Sequence, residues 1–219
     1  MAIALVANVS RATGGTTAGI DTTGATVIVL SCGYIATGAS NDPRPNVSDS
    51  NSNAWIYFDP LVNGNGAVAI FVAINPVVGS GHTFTCTGGL PSFEVAAFSG
   101  THASFPLGPS SNGTGSTNTL QPGSLTPALN NCLIIAALAY RDTTTISVDS
   151  GFTITDQQIF QSGTAVGSAL AYLIQTSAAA VNPQFSWTNN TTSSAQQIVI
   201  RPPDAAGGGG GAHAHASWG

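Results

Sequence analysis

Charge is what this chain of 219 residues has least of. Asp, Glu, Lys and Arg make up 6% of it, against about 25% in ordinary soluble domains. Lysine is absent, the cations are Arg11, Arg44, Arg141 and Arg201, and Glu94 is the sole glutamate. Binding to a phosphate backbone needs clustered cations that displace counterions. Four scattered arginines and a net charge of −5 argue against nucleic acid as a direct ligand.

Long apolar runs are missing too. A membrane helix needs about 18 or more uninterrupted apolar residues, and the longest run, 132–140, ends at Arg141-Asp142. A membrane is therefore not an expected partner. The first residues, Met1-Ala2-Ile3-Ala4-Leu5-Val6, lack the basic region and the apolar length of a secretory signal. The expectation is synthesis in a cytoplasm and release without a signal peptide. Cysteine is scarce and odd in number, three in all, which argues against a closed disulfide framework. Cys32, Cys86 and Cys132 each share an apolar strand face and read as buried thiols acting as small hydrophobes.

What the chain does have is alternation. Hydrophobic residues make up 42% of it, and period-two runs broken by Gly, Pro, Asn and Asp recur from end to end. Expected strands cover 3–9, 16–20, 25–35, 54–58, 67–74, 82–87, 93–98, 133–140, 144–148, 152–158, 168–175, 184–188 and 196–201. No segment keeps a helical apolar period for three turns. The pattern predicts an all-β fold with very little helix, a β-sandwich of jelly-roll or Greek-key type. One domain would span 1–201, with long loops at 37–53 and 106–124. Residues 202–219 form a Gly-rich arm with no core pattern.

Enzyme signatures are mostly missing: there is no G-x-S-x-G, no P-loop, no H-E-x-x-H and no G-x-G-x-x-G. Serines and aspartates are too many for a triad built on His82 or His102 to carry weight. No catalytic residue and no cofactor is expected. Asp49, Asn51 and Asn53 mimic the first half of a calcium loop, yet Ala54 stands at its sixth position and Pro60 at its twelfth; an Asx-rich turn is the favoured reading. His213 and His215 are a remote metal pair in the tail. Ile3 and Leu5 on the opening strand, and Trp218 with His213 and His215 on the arm, are the candidate contacts to a partner. Trp55 and Tyr57 share a strand face; core placement is favoured for them and for Trp187, with glycan contact the alternative. Glu94 is expected either to pair with Arg141 or to sit at a strand end in water.

Several stretches resemble a β-sandwich module of phage tail, fibre and head-surface proteins. They are Thr16-Thr17-Ala18-Gly19-Ile20-Asp21-Thr22-Thr23-Gly24-Ala25-Thr26, Val47-Ser48-Asp49-Ser50-Asn51-Ser52-Asn53 and Asn75-Pro76-Val77-Val78-Gly79-Ser80-Gly81-His82-Thr83-Phe84. Glu94-Val95-Ala96-Ala97-Phe98-Ser99-Gly100 and Asp149-Ser150-Gly151-Phe152-Thr153-Ile154-Thr155-Asp156 belong to the same pattern. The likeness covers most of residues 3–201. It implies a non-catalytic virion surface component, a capsid decoration or cement protein, and supplies no catalytic residues. The partners it implies are other virion proteins and copies of this chain. The alternative is a tail or fibre component, an adhesin binding host surface carbohydrate.

Overall fold

The computed structural model describes residues 2–36, 44–104, 106–163 and 165–204. Among them there is no helix, and every strand pairing is antiparallel, as the alternation predicts. The first half of the chain contributes β1 (Ala4–Arg11), β2 (Gly15–Thr16), β3 (Val27–Ile35), β4 (Asn46–Asp49), β5 (Ile56–Tyr57), β6 (Leu61–Asn63), β7 (Gly66–Ile74), β8 (Phe84–Thr87) and β9 (Ser92–Ser99). The second contributes β10 (Leu107–Gly115), β11 (Thr119–Leu120), β12 (Cys132–Tyr140), β13 (Ser147–Val148), β14 (Thr153–Gln158), β15 (Gly167–Gln175), β16 (Phe185–Ser186) and β17 (Ser193–Ile200).

These strands build four layers. The sheet β1-β9-β3-β7-β5, with β6 also on β7, faces the sheet β10-β17-β12-β15-β14. Between them lies one core, with Val27, Val29, Ile70, Val72 and Phe98 on one side and Leu133, Ile135, Leu170 and Ile198 on the other. The small sheet β2-β8-β4 covers the outer face of the first over Phe84, Cys86, Leu30 and Phe71. The small sheet β11-β16-β13 covers the second over Leu120, Phe185, Tyr140 and Trp187. Strands buried on both faces need apolar residues at every position. That is why β3, β7 and β12 lose the period-two signal and read as continuous hydrophobic runs.

The two halves are wound alike. In strand order β1, β2, β3, β4, β7, β8 and β9 correspond to β10, β11, β12, β13, β15, β16 and β17, with β5 and β6 in the place of β14. The packing between halves repeats the relation: β3 lies on β15 as β7 lies on β12, and β1 meets β14 as β6 meets β10. Such reciprocal contacts define a pseudo-twofold axis, the arrangement of an isologous dimer within one chain.

Several boundaries differ from the sequence reading. The expected loop 106–124 contains β10 and β11. β10 is an edge strand paired only with β17, so its Ser, Asn and Gly residues need no apolar face. In the expected loop 37–53, residues 46–49 form β4 and pair with β8; residues 37–43 lie outside the described residues. The strand expected at 16–20 shrinks to β2 plus a single bridge from Ile20 to His82. Those expected at 54–58, 144–148 and 184–188 each keep two residues of pairing.

The large sheets approach most closely at one end. A Cβ on Gly33 would stand 2.8 Å from the Gly167 carbonyl oxygen and 3.2 Å from the β-carbons of Ala139 and Ser168. Gly33→Val is expected to destabilise the fold by about 1–3 kcal/mol through overpacking against backbone. Urea denaturation measures this, and an unchanged midpoint would contradict the close approach.

Candidate functional site

His82 stands just before β8 and is buried. Its Nε2 lies 3.0 Å from Asp49 Oδ1 and its Nδ1 lies 3.0 Å from the Thr22 hydroxyl. A carboxylate only accepts, so Nε2 carries the proton toward Asp49, and in the neutral ring Nδ1 accepts from Thr22. The wiring resembles a nucleophile, base and acid in series, but Thr22 is itself fully buried, and its oxygen accepts from the Gly79 amide at 3.1 Å. No substrate reaches it. The array is a staple joining 22, 49 and 79–82.

Asp49 is also the centre of the suspected calcium loop. Its Oδ1 accepts from the backbone amides of Asn51 and Asn53 and from the Asn53 side chain, while Oδ2 accepts from the Trp55 indole at 2.8 Å. Asn51 and Asn53 both donate their side-chain amides to the Val77 carbonyl. Its bonds from the Asn51 and Asn53 amides make this the Asx-rich turn, with donors crowded on Oδ1. Burial opposes its charge, but the bonds from His82, Trp55, Asn53 and Asn51 outweigh it and hold its pKa below the ordinary value.

Trp55 and Tyr57 line an open cleft of about 320 Å³ with Arg44, Asn46 and Phe71. Trp55 is half-buried, tied to Asp49 and edge-on to Phe84, while Trp187 is buried in the outer core of the second half. Core placement therefore fails for Tyr57, which is 47% exposed because β5 lies at the sheet edge. The Arg44 guanidinium covers its ring at 3.5 Å from the centroid. A sugar stacked on that face would have to displace Arg44.

The partner contacts expected at the N-terminus are also corrected. Ile3 is 7% exposed and belongs to the central core, and Leu5 packs against the same cluster. Both side chains join the core between the large sheets, Leu5 from β1 opposite Phe98 and Ile3 from the residue just before β1. His213, His215 and Trp218 lie outside the described residues. Cys32, Cys86 and Cys132 are buried and free.

The largest departure from the sequence reading is Glu94. It sits in β9, fully buried between the large sheets, and its carboxyl meets serines instead of Arg141 or the solvent surface. Ser31 on β3 lies 2.9 Å from Oε2 and Ser168 on β15 lies 2.6 Å from Oε1. Ser168 continues to Ser92 at 2.5 Å, and Ser92 donates to the Val166 carbonyl. Burial, against the two serine bonds and with some help from the Asp156 charge, pushes its pKa from 4.5 up to about 8. Burial thus favours the neutral carboxyl, while the Ser31 and Ser168 hydroxyls supply it with donors. The available signal was the row of serines on otherwise apolar strands: Ser31, Ser92 and Ser168.

Comparison with protein families, with curated proteins and with solved structures finds no match. Geometry alone carries the functional reading.

Two outcomes test these nodes. Folding takes up a proton at Glu94 between its unfolded value of 4.5 and its folded value of about 8. Stability thus falls as pH rises through that window, by on the order of 5 kcal/mol at most, and then levels. Glu94→Gln should flatten this slope in thermal melts taken from pH 5 to pH 9; a slope equal to the parent's would remove Glu94 as its source. Asp49→Ala leaves the His82 and Trp55 donors unpaired and should cost about 2–4 kcal/mol in denaturant unfolding.

Proposed function

We propose that this chain is a non-catalytic structural protein of a bacteriophage particle surface, acting by association with other virion proteins and with copies of itself. One observation carries the reading: the polar groups that resemble chemistry are engaged inside the fold. His82, Asp49 and Thr22 bond one another, and Glu94 bonds serines between the sheets. The surface that remains is poor in charge, so copies repel one another little and attraction depends weakly on salt. Each half divides its strands between a large and a small antiparallel sheet, which is compatible with the jelly-roll sandwiches used by viral shell proteins and by lectins. Capsid decoration is the leading role, and a tail or fibre adhesin is the alternative.

Immunogold labelling of purified particles tests the role and separates its forms. Label over the shell at many sites per particle is expected, label confined to the tail would favour the adhesin, and particles free of this polypeptide would end the proposal. Particle association should also survive transfer from about 0.05 to 1 M NaCl, because few charges are there to be screened. Sedimentation of particles with bound protein measures that.

A further inference from the structure

An apolar cleft of about 680 Å³ opens at one end of the molecule, where β3 stops and β9 begins. Ile35, Leu90 and Pro91 wall it, and Gly88, Gly89 and Gly163 bring backbone to it in place of side chains. Packing requires the glycine at 89, since a Cβ there would stand 3.0 Å from the Ile35 carbonyl oxygen and 3.0 Å from the Tyr34 ring. Leu90 follows with a φ of +49°, a left-handed conformation that bulky residues seldom adopt, and it is 48% exposed. Among the described residues no charged side chain lines the cleft. An exposed apolar patch of this kind marks a place of contact.

The chain itself supplies a segment of matching chemistry. Residues 205–219, which lie outside the described residues, carry no Asp, Glu, Lys or Arg, and their one large apolar side chain is Trp218. The segment starts after Asp204, whose carboxylate lies 3.1 Å from His102 Nε2, while the His102 amide donates to the Arg201 carbonyl. Asp204 is thereby held past the end of β9, whereas Leu90 and Pro91 stand before its start. The eight residues of β9 set the two places about 23 Å or more apart. Trp218 is fourteen positions beyond Asp204, and a glycine-rich coil of that length reaches about 20 Å on average and about 48 Å at full stretch. To enter its own cleft the arm would have to run extended along the molecule, and polyglycine has no side chains to hold it there. The cleft of a copy stacked in line lies within ordinary reach.

We propose that this cleft receives Trp218 of a second copy, so that copies join head to tail through their C-terminal arms. A tryptophan buries about 200 Å² on docking and its flat ring fits where glycines leave out side chains. Arms that end in a buried Trp concentrate binding in one residue. Because the arm leaves one end of the molecule and the cleft opens at the other, each copy gives one arm and receives another. Such a heterologous contact closes into a ring or runs on as an open chain. The inference deepens the association between copies proposed above and rests on that part of it alone.

Sedimentation equilibrium of the full chain from about 0.01 to 1 mM reads the association, with a dissociation constant expected on the order of 0.1 mM. The average mass of the parent should rise with concentration past that of a dimer. Trp218→Ala removes the anchor, and Leu90→Asn removes a wall of the cleft with a residue that tolerates the left-handed backbone. Each variant alone should associate about tenfold or more weakly than the parent. Mixed in equal amounts, they unite the intact arm of one with the intact cleft of the other, and dimers without larger species are expected. Melting curves check that both are folded, and Trp218→Ala, outside the described fold, carries the test by itself should Leu90→Asn melt early. The inference is overturned by a parent that stays monomeric, by a Trp218→Ala variant that associates as the parent does, or by a mixture of folded variants that stays monomeric. Labelling of particles is independent of all three results, so the virion role stands or falls separately.

Discussion

Everything in this molecule depends on two large β-sheets being buried on both faces. A sheet hidden on one side only can alternate apolar and polar residues, but here each large sheet packs on its twin within and on a small sheet without. Its central strands must then be apolar at almost every position. Their side chains must also shrink where the sheets converge, which is why Gly33 faces Gly167 at the narrow end and Val29, Phe98 and Ile135 fill the wide one. The small sheets are short because they need only cover what the large ones leave exposed.

Polar groups that enter this interior carry a large desolvation cost unless they are paired. The pseudo-twofold relation sets two solutions of that problem side by side. Glu94 is satisfied from within by Ser31 and Ser168, with burial pushing its pKa up to about 8. Gln196, which pairs with Ala137 on β12 as Glu94 pairs with Ser31 on β3, donates its amide to the Asp59 carbonyl and keeps a buried carbonyl oxygen with no partner among the described residues. The near-symmetry of the halves accounts for both sites being there. The replacement of Ser31 by Ala137 accounts for their difference.

How much of this was legible in the sequence varied with the physics of each element. β3, β7, β9, β12, β15 and β17 were readable because buried strands announce themselves by β-branched and apolar runs. β10 was not, because an edge strand paired on one side can be built from Ser, Asn and Gly. The Asp49 turn was read correctly as an Asx device, since its bonds are local. Its link to His82, 33 residues away in the chain, was not visible. Tyr57 was placed in the core from its aromatic character, but exposure is decided by position in the sheet, and it lies at an edge. Ile3 and Leu5 were assigned to partners because termini are often loose, whereas both pack on the central core, Leu5 within the pairing of β1 with β9 and Ile3 just before it.

From residue order alone came the all-β class, the absence of helical periodicity, the charge-poor composition and the turn chemistry, all of which rest on neighbours within a few positions. Only the tertiary structure decided that the strands sort into two similarly wound halves, that Glu94 and Gln196 occupy related positions, and that serines meet the one while the other bonds the Asp59 carbonyl. The physical reason is distance along the chain. Each of those arrangements joins residues tens to more than a hundred positions apart, and no local pattern records which partner a strand will find.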